Sequence, residues 1–146
     1  MFTVRLPNGK EQTFDATLSL EEVLRNTTFN SEQDAIACRV NGKLAHGSYT
    51  ISHDALLEII TSADEDGLRI LRHSTAHLLA CAVKTLFPDA KVAMGPVIED
   101  GFYYDFSYPR PFTRENMAEI ESKMRELAKK NEPIVRKPIP HQEALQ

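Results

Sequence analysis

Two asparagine–glycine pairs near the N-terminus constrain the fold more than any other feature of this sequence. Apolar and polar residues alternate on both sides of Pro-Asn-Gly-Lys at positions 7–10. This pattern predicts a β-hairpin closed by a type I′ turn, because asparagine and glycine both tolerate positive φ. The second pair, Asn41-Gly42, predicts another turn, and the apolar run at positions 55–61 is typical of a buried strand. The chain therefore begins with short strands that fold back on one another.

A helix is predicted between these strands. Ser19 and Glu22 have the spacing of a capping box, and Leu20, Val23 and Leu24 lie on one helical face. The resulting order of elements is ββαββ. A four-stranded sheet packed over one helix, the β-grasp or ubiquitin-like arrangement, is the small fold that accommodates this order.

A long helix is predicted to begin after residue 62. Ser62 and Glu65 have the spacing of a second capping box, and the acidic residues at positions 64–66 favour a helix N-terminus through the helix dipole. Gly67 weakens this start, since glycine costs about 1 kcal/mol relative to alanine inside a helix. Pro88 ends the helix at about the preceding residue, because proline lacks the N–H that continuation needs.

The rest of the chain predicts further strands and helices. Two strands meet near positions 99–101, Thr113 caps a third helix, and a short strand lies within positions 132–140. The first turn of another element begins at His141. The apolar stripe of the third helix consists of Met117, Ile120, Met124 and Leu127. Together with the N-terminal strands, these elements predict an α+β fold.

The composition excludes membrane-spanning and secreted classes of protein. Of the 146 residues, 42% are hydrophobic and 26% are charged, as in soluble globular proteins. No apolar run approaches the roughly 20 residues that cross a bilayer, and no signal peptide is apparent, so we expect a cytoplasmic protein without membrane contact. The net charge of −4 gives no overall attraction to nucleic acid, and the basic residues at positions 123–137 are interpreted as a solvated helix face. Cys38 and Cys81 are predicted to be reduced thiols.

The candidate functional residues are His73 and His77, which lie four positions apart in the long helix. A helical wheel places the apolar stripe on one side of the helix and both histidines on the other. That stripe consists of Leu68, Leu71, Leu78, Leu79, Ala82 and Leu86. The small side chains of Ser74, Ala76 and Ala80 leave room above the imidazoles, which suits the floor of a pocket.

The spacing permits three interpretations of this pair: an exposed surface pair, half of a metal site, or a metal-free catalytic pair. Cys81 cannot join both histidines on one zinc ion, because it lies about 12 Å from His73 along the helix. Ser74 stands where the H-E-x-x-H motif of metalloproteases has its glutamate. From spacing alone the exposed pair is favoured, and the other two interpretations stay open.

Several stretches of the sequence resemble the bacterial threonyl-tRNA synthetase family. VRLPNGKEQTFD and RVNGKL are similar to its TGS domain, a β-grasp module, whereas RHSTAHLLACAVKTLFP and GPVIEDGFYYDF are similar to its editing domain. RELAKKNEPIVRK extends the resemblance to nearly the end of the chain. The resemblance implies a TGS domain at residues 1–62, followed at residues 63–146 by the N-terminal part of a domain that hydrolyses mischarged seryl-tRNA.

The resemblance also implies roles for individual residues. His73 and His77 match the H-x-x-x-H pair of the family's editing site. We assign His73 to activating water and His77 to positioning the seryl group, although the two roles are interchangeable at this stage. Gly95 and Pro96 are expected to let backbone approach the substrate, and Tyr104 to offer a hydroxyl and a ring on which adenine stacks. The site is expected to work without a metal.

Other parts of the family's enzymes are expected to lie outside this chain. They are the C-x-x-x-H half of the editing site, a class II core that attaches threonine to tRNA using ATP, magnesium and one zinc ion, and an anticodon-binding domain. We therefore expect a fragment that holds no cofactor, does not charge tRNA, and meets the 3′ acceptor end of tRNA. The enzyme is expected to form a homodimer through the other domains. The alternative is a non-catalytic TGS-type module that binds RNA or another ligand.

Overall fold

The computed structural model describes residues 1–26, 35–132 and 138–144. Its contacts divide the chain into two compact units. The first unit consists of Met1–Ala76 and Gly95–Tyr103, and the second of His77–Met94 and Tyr104–Gln146. The predicted α+β class is confirmed. The predicted domain ranges, residues 1–62 and 63–146, stay a prediction.

The secondary structure follows one order along the chain. The elements are β1 Phe2–Arg5, β2 Glu11–Phe14, β3 Leu18–Ser19, α1 Leu20–Asn26, β4 Ala35–Val40, β5 Lys43–Ala45, β6 Thr50–Ile51, β7 Ala55–Thr61, α2 Glu65–Leu86, β8 Lys91–Val92, β9 Val97–Ile98, β10 Gly101–Phe102, β11 Phe106–Ser107, α3 Arg114–Lys130 and α4 His141–Ala144. The predicted strand within positions 132–140 falls largely on residues 133–137, which lie outside the described residues.

The first unit is built on a five-stranded sheet with the strand order β2-β1-β7-β4-β5. Strands β1 and β7 pair in parallel, and the other neighbours pair antiparallel. This is the β-grasp arrangement that the sequence predicts, with one strand more than predicted. The extra strand is β5, whose residues pair with β4 across the Asn41-Gly42 turn. Strands β3 and β6 form a separate two-stranded pair.

The core of the first unit lies between this sheet and helix α1. Alternate residues of β1 point inward, so that Phe2 and Val4 are buried, and α1 contributes Leu20 and Val23. The other buried members are Leu6, Phe14, Cys38, Val40, Ile51, Ala55 and Leu57. Because apolar area removed from water stabilises by about 25 cal/mol per Å², this cluster is the main source of stability for the unit.

The predicted capping box at the start of α1 is confirmed. The backbone N–H and the hydroxyl of Ser19 both donate to the Glu22 carboxylate at 2.8 Å, and the Glu22 N–H donates back to the Ser19 hydroxyl at 3.2 Å. These bonds favour the charged carboxylate. Donation from the Ser19 backbone, followed by that from its hydroxyl, lowers the pKa of Glu22.

The first predicted hairpin is confirmed, but its predicted turn type is wrong. The Gly9 N–H donates to the Leu6 carbonyl at 3.0 Å, and the Leu6 N–H donates to the Lys10 carbonyl at 2.7 Å. Gly9 has a φ of 84°, and Asn8 is not among the described residues with positive φ. The turn is therefore type I with a left-handed glycine after it, because Pro7 suits the first central position of a type I turn.

A type I′ turn does occur at the second asparagine–glycine pair. Asn41 and Gly42 have φ values of 50° and 81°. Asn41 also joins a neighbouring strand: its N–H donates to the Leu56 carbonyl at 2.8 Å, and its side-chain oxygen accepts from the Leu56 N–H at 2.9 Å. The same asparagine thus forms the β4–β5 turn and ties it to β7.

Helix α2 ends where the sequence predicts, but its start differs from the prediction. The Leu68 N–H donates to the Asp64 carbonyl at 2.9 Å, and the helix begins at Glu65. The predicted Ser62–Glu65 capping box is therefore wrong, because Glu65 is the first helical residue and not the third. Asp64 precedes the helix, and its carboxylate accepts from the Thr61 N–H at 2.8 Å. This bond anchors the end of β7 to the start of α2.

An ion-pair network also holds the start of α2 to the sheet. Arg39 on β4 donates to Glu58 on β7 at 2.9 Å and to Asp66 in the first turn of the helix. The hydrogen bond to Asp66 is the main reason that the pKa of Arg39 is raised. These ion pairs link strands β4 and β7 to the first turn of α2.

The buried face of α2 follows the predicted stripe only in the later part of the helix. Leu68 and Leu71 are 38% and 45% exposed. The buried side chains belong to Ala76, Ala80, Ala82 and Val83, of which the sequence predicts only Ala82. Leu79 and Leu86 of the predicted stripe are partly buried and pack against the core of the second unit. A helical wheel weighted by hydropathy predicts that leucines are buried before alanines. In the structure, an alanine is buried wherever a neighbouring element covers its position on the helix.

The second unit packs the later part of α2 against α3 and a short strand pair. Strands β8 and β11 pair antiparallel. The buried residues are Ala82, Val83, Ala90 and Ile120, and aromatic rings surround them. Those rings belong to Phe87, Phe106, Tyr108 and Phe112, with centroid separations of 5.4–6.1 Å. Aromatic burial therefore supplies much of this smaller core.

Helix α3 begins as predicted. Thr113 and Asn116 form a reciprocal capping box, with the Asn116 N–H donating to the threonine hydroxyl at 3.2 Å. The predicted apolar stripe is correct at Ile120, which is buried, and wrong at Met117, which is 56% exposed. Among the helices of the described residues, none is long and apolar enough to cross a membrane.

Candidate functional site

Both candidate histidines lie on the exposed surface of α2. His73 and His77 are one helical turn apart, which separates them by about 6 Å along the axis. Their exposure agrees with the prediction that they lie off the core face. They do not lie opposite the buried face, however. Ala76 and Ala80 are buried, and each follows a histidine by three positions, so the buried line of the helix runs beside the pair.

The predicted site residues are divided between the two units. His73, Gly95 and Pro96 belong to the first unit, whereas His77 and Tyr104 belong to the second. Gly95 and Pro96 are both partly buried. The structure thus brings one histidine and the two predicted backbone-approach residues into the same compact unit, and the predicted site as a whole stays a prediction.

A short hairpin follows Gly95 and Pro96 in the first unit. Strands β9 and β10 pair antiparallel around the turn at Glu99-Asp100, as the sequence predicts. The Tyr103 N–H donates to the Pro96 carbonyl at 3.4 Å. We call residues 95–103 the Gly95 hairpin. Its regular ladder is only two residue pairs long.

The Gly95 hairpin is tied to α2 by a residue that sequence reasoning missed. Arg72, directly before His73, donates from Nη1 to the Glu99 carbonyl oxygen at 2.8 Å. Its acceptor is a backbone atom 27 residues away, so no pattern of residue types identifies the bond. The only available indication was an arginine next to the histidine motif.

The two neighbouring tyrosines differ in burial. Tyr104 is partly buried, and its ring stacks on Phe106 with centroids 4.9 Å apart and an interplanar angle of 20°. Tyr103 is 46% exposed. One face of the Tyr104 ring is therefore covered by Phe106. The predicted role of Tyr104 as a stacking surface for adenine stays a prediction and requires the opposite face.

The two cysteines have different environments. Cys81 is exposed one turn after His77, whereas Cys38 is buried in the core of the first unit. Burial raises the pKa of the Cys38 thiol to about 11. Within the described ranges, no three or more histidine, cysteine or acidic side chains are grouped to hold a metal ion. The predicted metal-free site stays a prediction.

The fold and the histidine helix together define an α+β protein in which a β-grasp sheet precedes a helix with an exposed H-x-x-x-H pair. No protein-family model matches the chain. The chain is 53% identical over 145 residues to the threonine–tRNA ligase of Janthinobacterium sp. (strain Marseille). It is also 53% identical over 146 residues to that of Herminiimonas arsenicoxydans, and 54% identical over 145 residues to that of Methylobacillus flagellatus.

These alignments cover 99–100% of this chain and 23% of each relative. The chain is therefore homologous to threonine–tRNA ligases and matches their N-terminal region, which confirms the resemblance found in the sequence. It spans about a quarter of the length of these relatives.

Proposed function

We propose that this chain acts as the N-terminal part of a threonine–tRNA ligase, an enzyme that joins threonine to its tRNA using ATP. We further propose that the histidine helix serves proofreading by hydrolysing seryl-tRNA. The observation that carries the proposal is the identity of about half the residues along essentially the whole chain. The exposure of His73 and His77 one turn apart supports the hydrolytic role, since water and substrate must both reach the reacting groups.

Proofreading is needed because threonine and serine differ by one methyl group. A missing methyl group in a binding pocket changes the binding free energy by only about 1–3 kcal/mol, so serine is sometimes attached by mistake. A second site that hydrolyses the wrong product corrects the error. The seryl ester at the 3′ end of the tRNA is then the substrate of this region.

Ester hydrolysis requires a water oriented on the carbonyl carbon, a base that accepts its proton, and donors for the developing oxyanion. We assign the water-activating role to His73, since histidine is the side chain that most often serves as a general base, and an exchange of roles with His77 is the alternative. His77 binds the seryl group from the next helical turn. Gly95 and Pro96, in the same unit as His73, supply backbone at the wall of the site, and Tyr104 binds the terminal adenosine. No step requires a metal.

The proposal is tested in a chimera. This chain replaces the matching 146 residues of the Herminiimonas arsenicoxydans threonine–tRNA ligase. Seryl-tRNA and threonyl-tRNA are prepared, and the deacylation of each is followed. We expect selective hydrolysis of seryl-tRNA, and we expect His73→Ala to slow it by about 10²–10⁴-fold, the usual contribution of a general base. His53→Ala, at an exposed histidine elsewhere in the first unit, is the matched control and should leave the rate unchanged.

Three outcomes separate the proposal from its rivals. Unchanged seryl-tRNA hydrolysis in the His73→Ala chimera would refute the assigned role, and a non-catalytic RNA-binding module would then be the better account. Loss of hydrolysis on adding a chelator would refute a metal-free mechanism. Full deacylation activity of residues 1–146 alone would refute the expectation that the site needs groups from the remainder of the enzyme.

A further inference from the structure

We propose that Arg72 is a positioning residue for the editing site, because its hydrogen bond holds the Gly95 hairpin against the turn of α2 that carries His73. The inference rests on the proposed function and deepens it. It concerns two segments of the first unit that are separated by 27 residues in sequence and joined by one side chain.

The bond occupies an acceptor that the hairpin itself does not use. The ladder of the Gly95 hairpin pairs Val97 with Phe102 and Ile98 with Gly101. Glu99 lies in the turn beyond that ladder, and its carbonyl oxygen accepts from Arg72 Nη1 at 2.8 Å. Isolated two-stranded hairpins are marginally stable in water, and this one has only two residue pairs. A bond from outside therefore contributes substantially to fixing its position.

Arginine suits this task for a chemical reason. A guanidinium forms charge-assisted hydrogen bonds, and such a bond to a carbonyl is stronger than a neutral one. Arg72 precedes His73 directly, so the two Cα atoms are about 3.8 Å apart on the same rigid helix. The bond consequently fixes the distance between the helical turn that bears His73 and the hairpin that begins with Gly95 and Pro96.

The expected kinetic effect follows from what the bond holds. Without it, His73 keeps its place on the helix, whereas the hairpin that forms the substrate wall moves. Misplacement of about 1 Å away from the reacting atoms lowers rates by up to about 100-fold. For Arg72→Ala we expect kcat/KM for seryl-tRNA to fall about tenfold, chiefly through a higher KM. The pH profile of kcat should keep its shape, because the base is unchanged.

The first measurement uses this chain alone and does not depend on catalysis. Amide hydrogen exchange is followed at the Tyr103 N–H, which donates within the Gly95 hairpin. We expect Arg72→Ala to accelerate exchange there about tenfold, and Arg72→Lys to give an intermediate rate, since lysine keeps a charged donor with a different reach. Arg69→Ala removes the same charge one turn earlier, and Glu99→Ala keeps the backbone acceptor. Both controls should exchange like the unmodified chain.

The second measurement uses the chimera and the kinetics of seryl-tRNA deacylation. Arg72→Ala and Arg72→Lys are compared with Arg69→Ala and Glu99→Ala, after circular dichroism confirms that each variant is folded. The inference is supported if only the Arg72 variants raise KM and Arg72→Lys restores part of the loss. A loss that Glu99→Ala reproduces would overturn it, because the contact would then depend on the glutamate side chain.

The outcomes also separate this inference from the proposed function. Unchanged Tyr103 exchange in Arg72→Ala overturns the structural tie itself. Faster exchange with unchanged deacylation overturns the positioning role while leaving the tie in place. If His73→Ala leaves seryl-tRNA hydrolysis unchanged, the proposed function fails, and the positioning role for editing falls with it. The His73→Ala variant detects a failure of the proposed function without any Arg72 variant.

Discussion

Gly67 provides a direct test of how the start of α2 is held against the sheet. An alanine Cβ at this position would lie 1.9 Å from the Thr61 carbonyl oxygen, 2.8 Å from its carbonyl carbon and 3.1 Å from a methyl group of Ile60. Real Cβ atoms essentially never lie within 3.0 Å of a non-bonded heavy atom. Because the nearest atoms belong to the backbone, either the end of β7 or the first turn of the helix must move.

The magnitude follows from two opposing effects. Overpacking costs about 1–3 kcal/mol, and movement of Thr61 also weakens the hydrogen bond from its N–H to the Asp64 carboxylate, which is worth about 1 kcal/mol. Alanine returns about 1 kcal/mol of helix propensity relative to glycine. We therefore expect Gly67→Ala to lower the free energy of unfolding of the first unit by about 1–3 kcal/mol. A propensity argument without the structure predicts the opposite sign.

The assay is urea unfolding followed by the methyl signals of Leu57 and Ile60, which report on the core of the first unit. Gly101→Ala is the matched control, because a Cβ there meets no atom within 4 Å. Its free energy of unfolding should differ from that of the unmodified chain by less than about 0.5 kcal/mol. A Gly67→Ala variant that is as stable as the unmodified chain, or more stable, would show that the close approach to Thr61 does not constrain the fold.

Three further predictions concern a cap, a thiol and a helix start. Donation from Ser19 lowers the pKa of Glu22, so this carboxylate stabilises the folded state above its unfolded-state pKa of about 4.3 and loses that contribution as the pH falls. The urea midpoint of Glu22→Gln should therefore decline less than that of the unmodified chain between about pH 6 and pH 3. Burial raises the pKa of Cys38 to about 11, so a maleimide near neutral pH should modify Cys81 alone, as read by mass spectrometry. Thr113→Ala removes the cap of α3 and should cost about 1 kcal/mol in urea unfolding followed at α3.

Each of these has an outcome that contradicts it. An equally steep decline in Glu22→Gln would mean that the capping box does not set the acid sensitivity. Labelling of Cys38 at the rate of Cys81 in the folded protein would mean that the core of the first unit opens readily. Thr113→Ser keeps the hydroxyl and serves as the control, so equal loss in the serine and alanine variants would argue against the cap.

Local patterns predict the β-grasp unit well, because its determinants are close together in sequence. The capping box at Ser19 and Glu22 and the hairpin around positions 7–10 both occur as predicted. The turn type at the first hairpin differs from the prediction because Pro7 favours type I geometry at the first central position, and this preference outweighs the tendency of Asn8-Gly9 towards type I′.

The long helix shows where sequence patterns stop being informative. Periodicity placed Leu68 and Leu71 in the core, yet both are substantially exposed. Burial along α2 is decided by which elements cover each turn, and the helix contributes to two different units. Helix propensity predicts that Gly67 weakens the helix, whereas its missing side chain is what allows the close approach to Thr61. Such close contacts depend on tertiary structure and produce no periodic pattern of residue types in the sequence.

The sequence predicts those parts of the candidate site that depend on the type of side chain, and not those that depend on backbone atoms. The spacing of His73 and His77 identified an exposed pair, and the family resemblance assigned it a chemistry. Arg72 escaped both, because its acceptor is the backbone carbonyl of Glu99, which any residue at that position would supply. Positioning contacts of this kind are found from coordinates alone.

The parallel pairing of β1 with β7 has a consequence for synthesis on the ribosome. The first strand emerges early, but its central partner lies about 50 residues later, as the bond from the Thr3 N–H to Asp54 illustrates with a separation of 51 residues. At translation rates of about 5–20 residues per second, the N-terminal hairpin therefore waits about 2–9 s for that strand to be completed. During this interval the side chains of Phe2, Val4 and Phe14 are covered only by a two-stranded ribbon. A chaperone that binds extended apolar segments should therefore contact residues 2–14 of the nascent chain and dissociate once Thr61 has emerged.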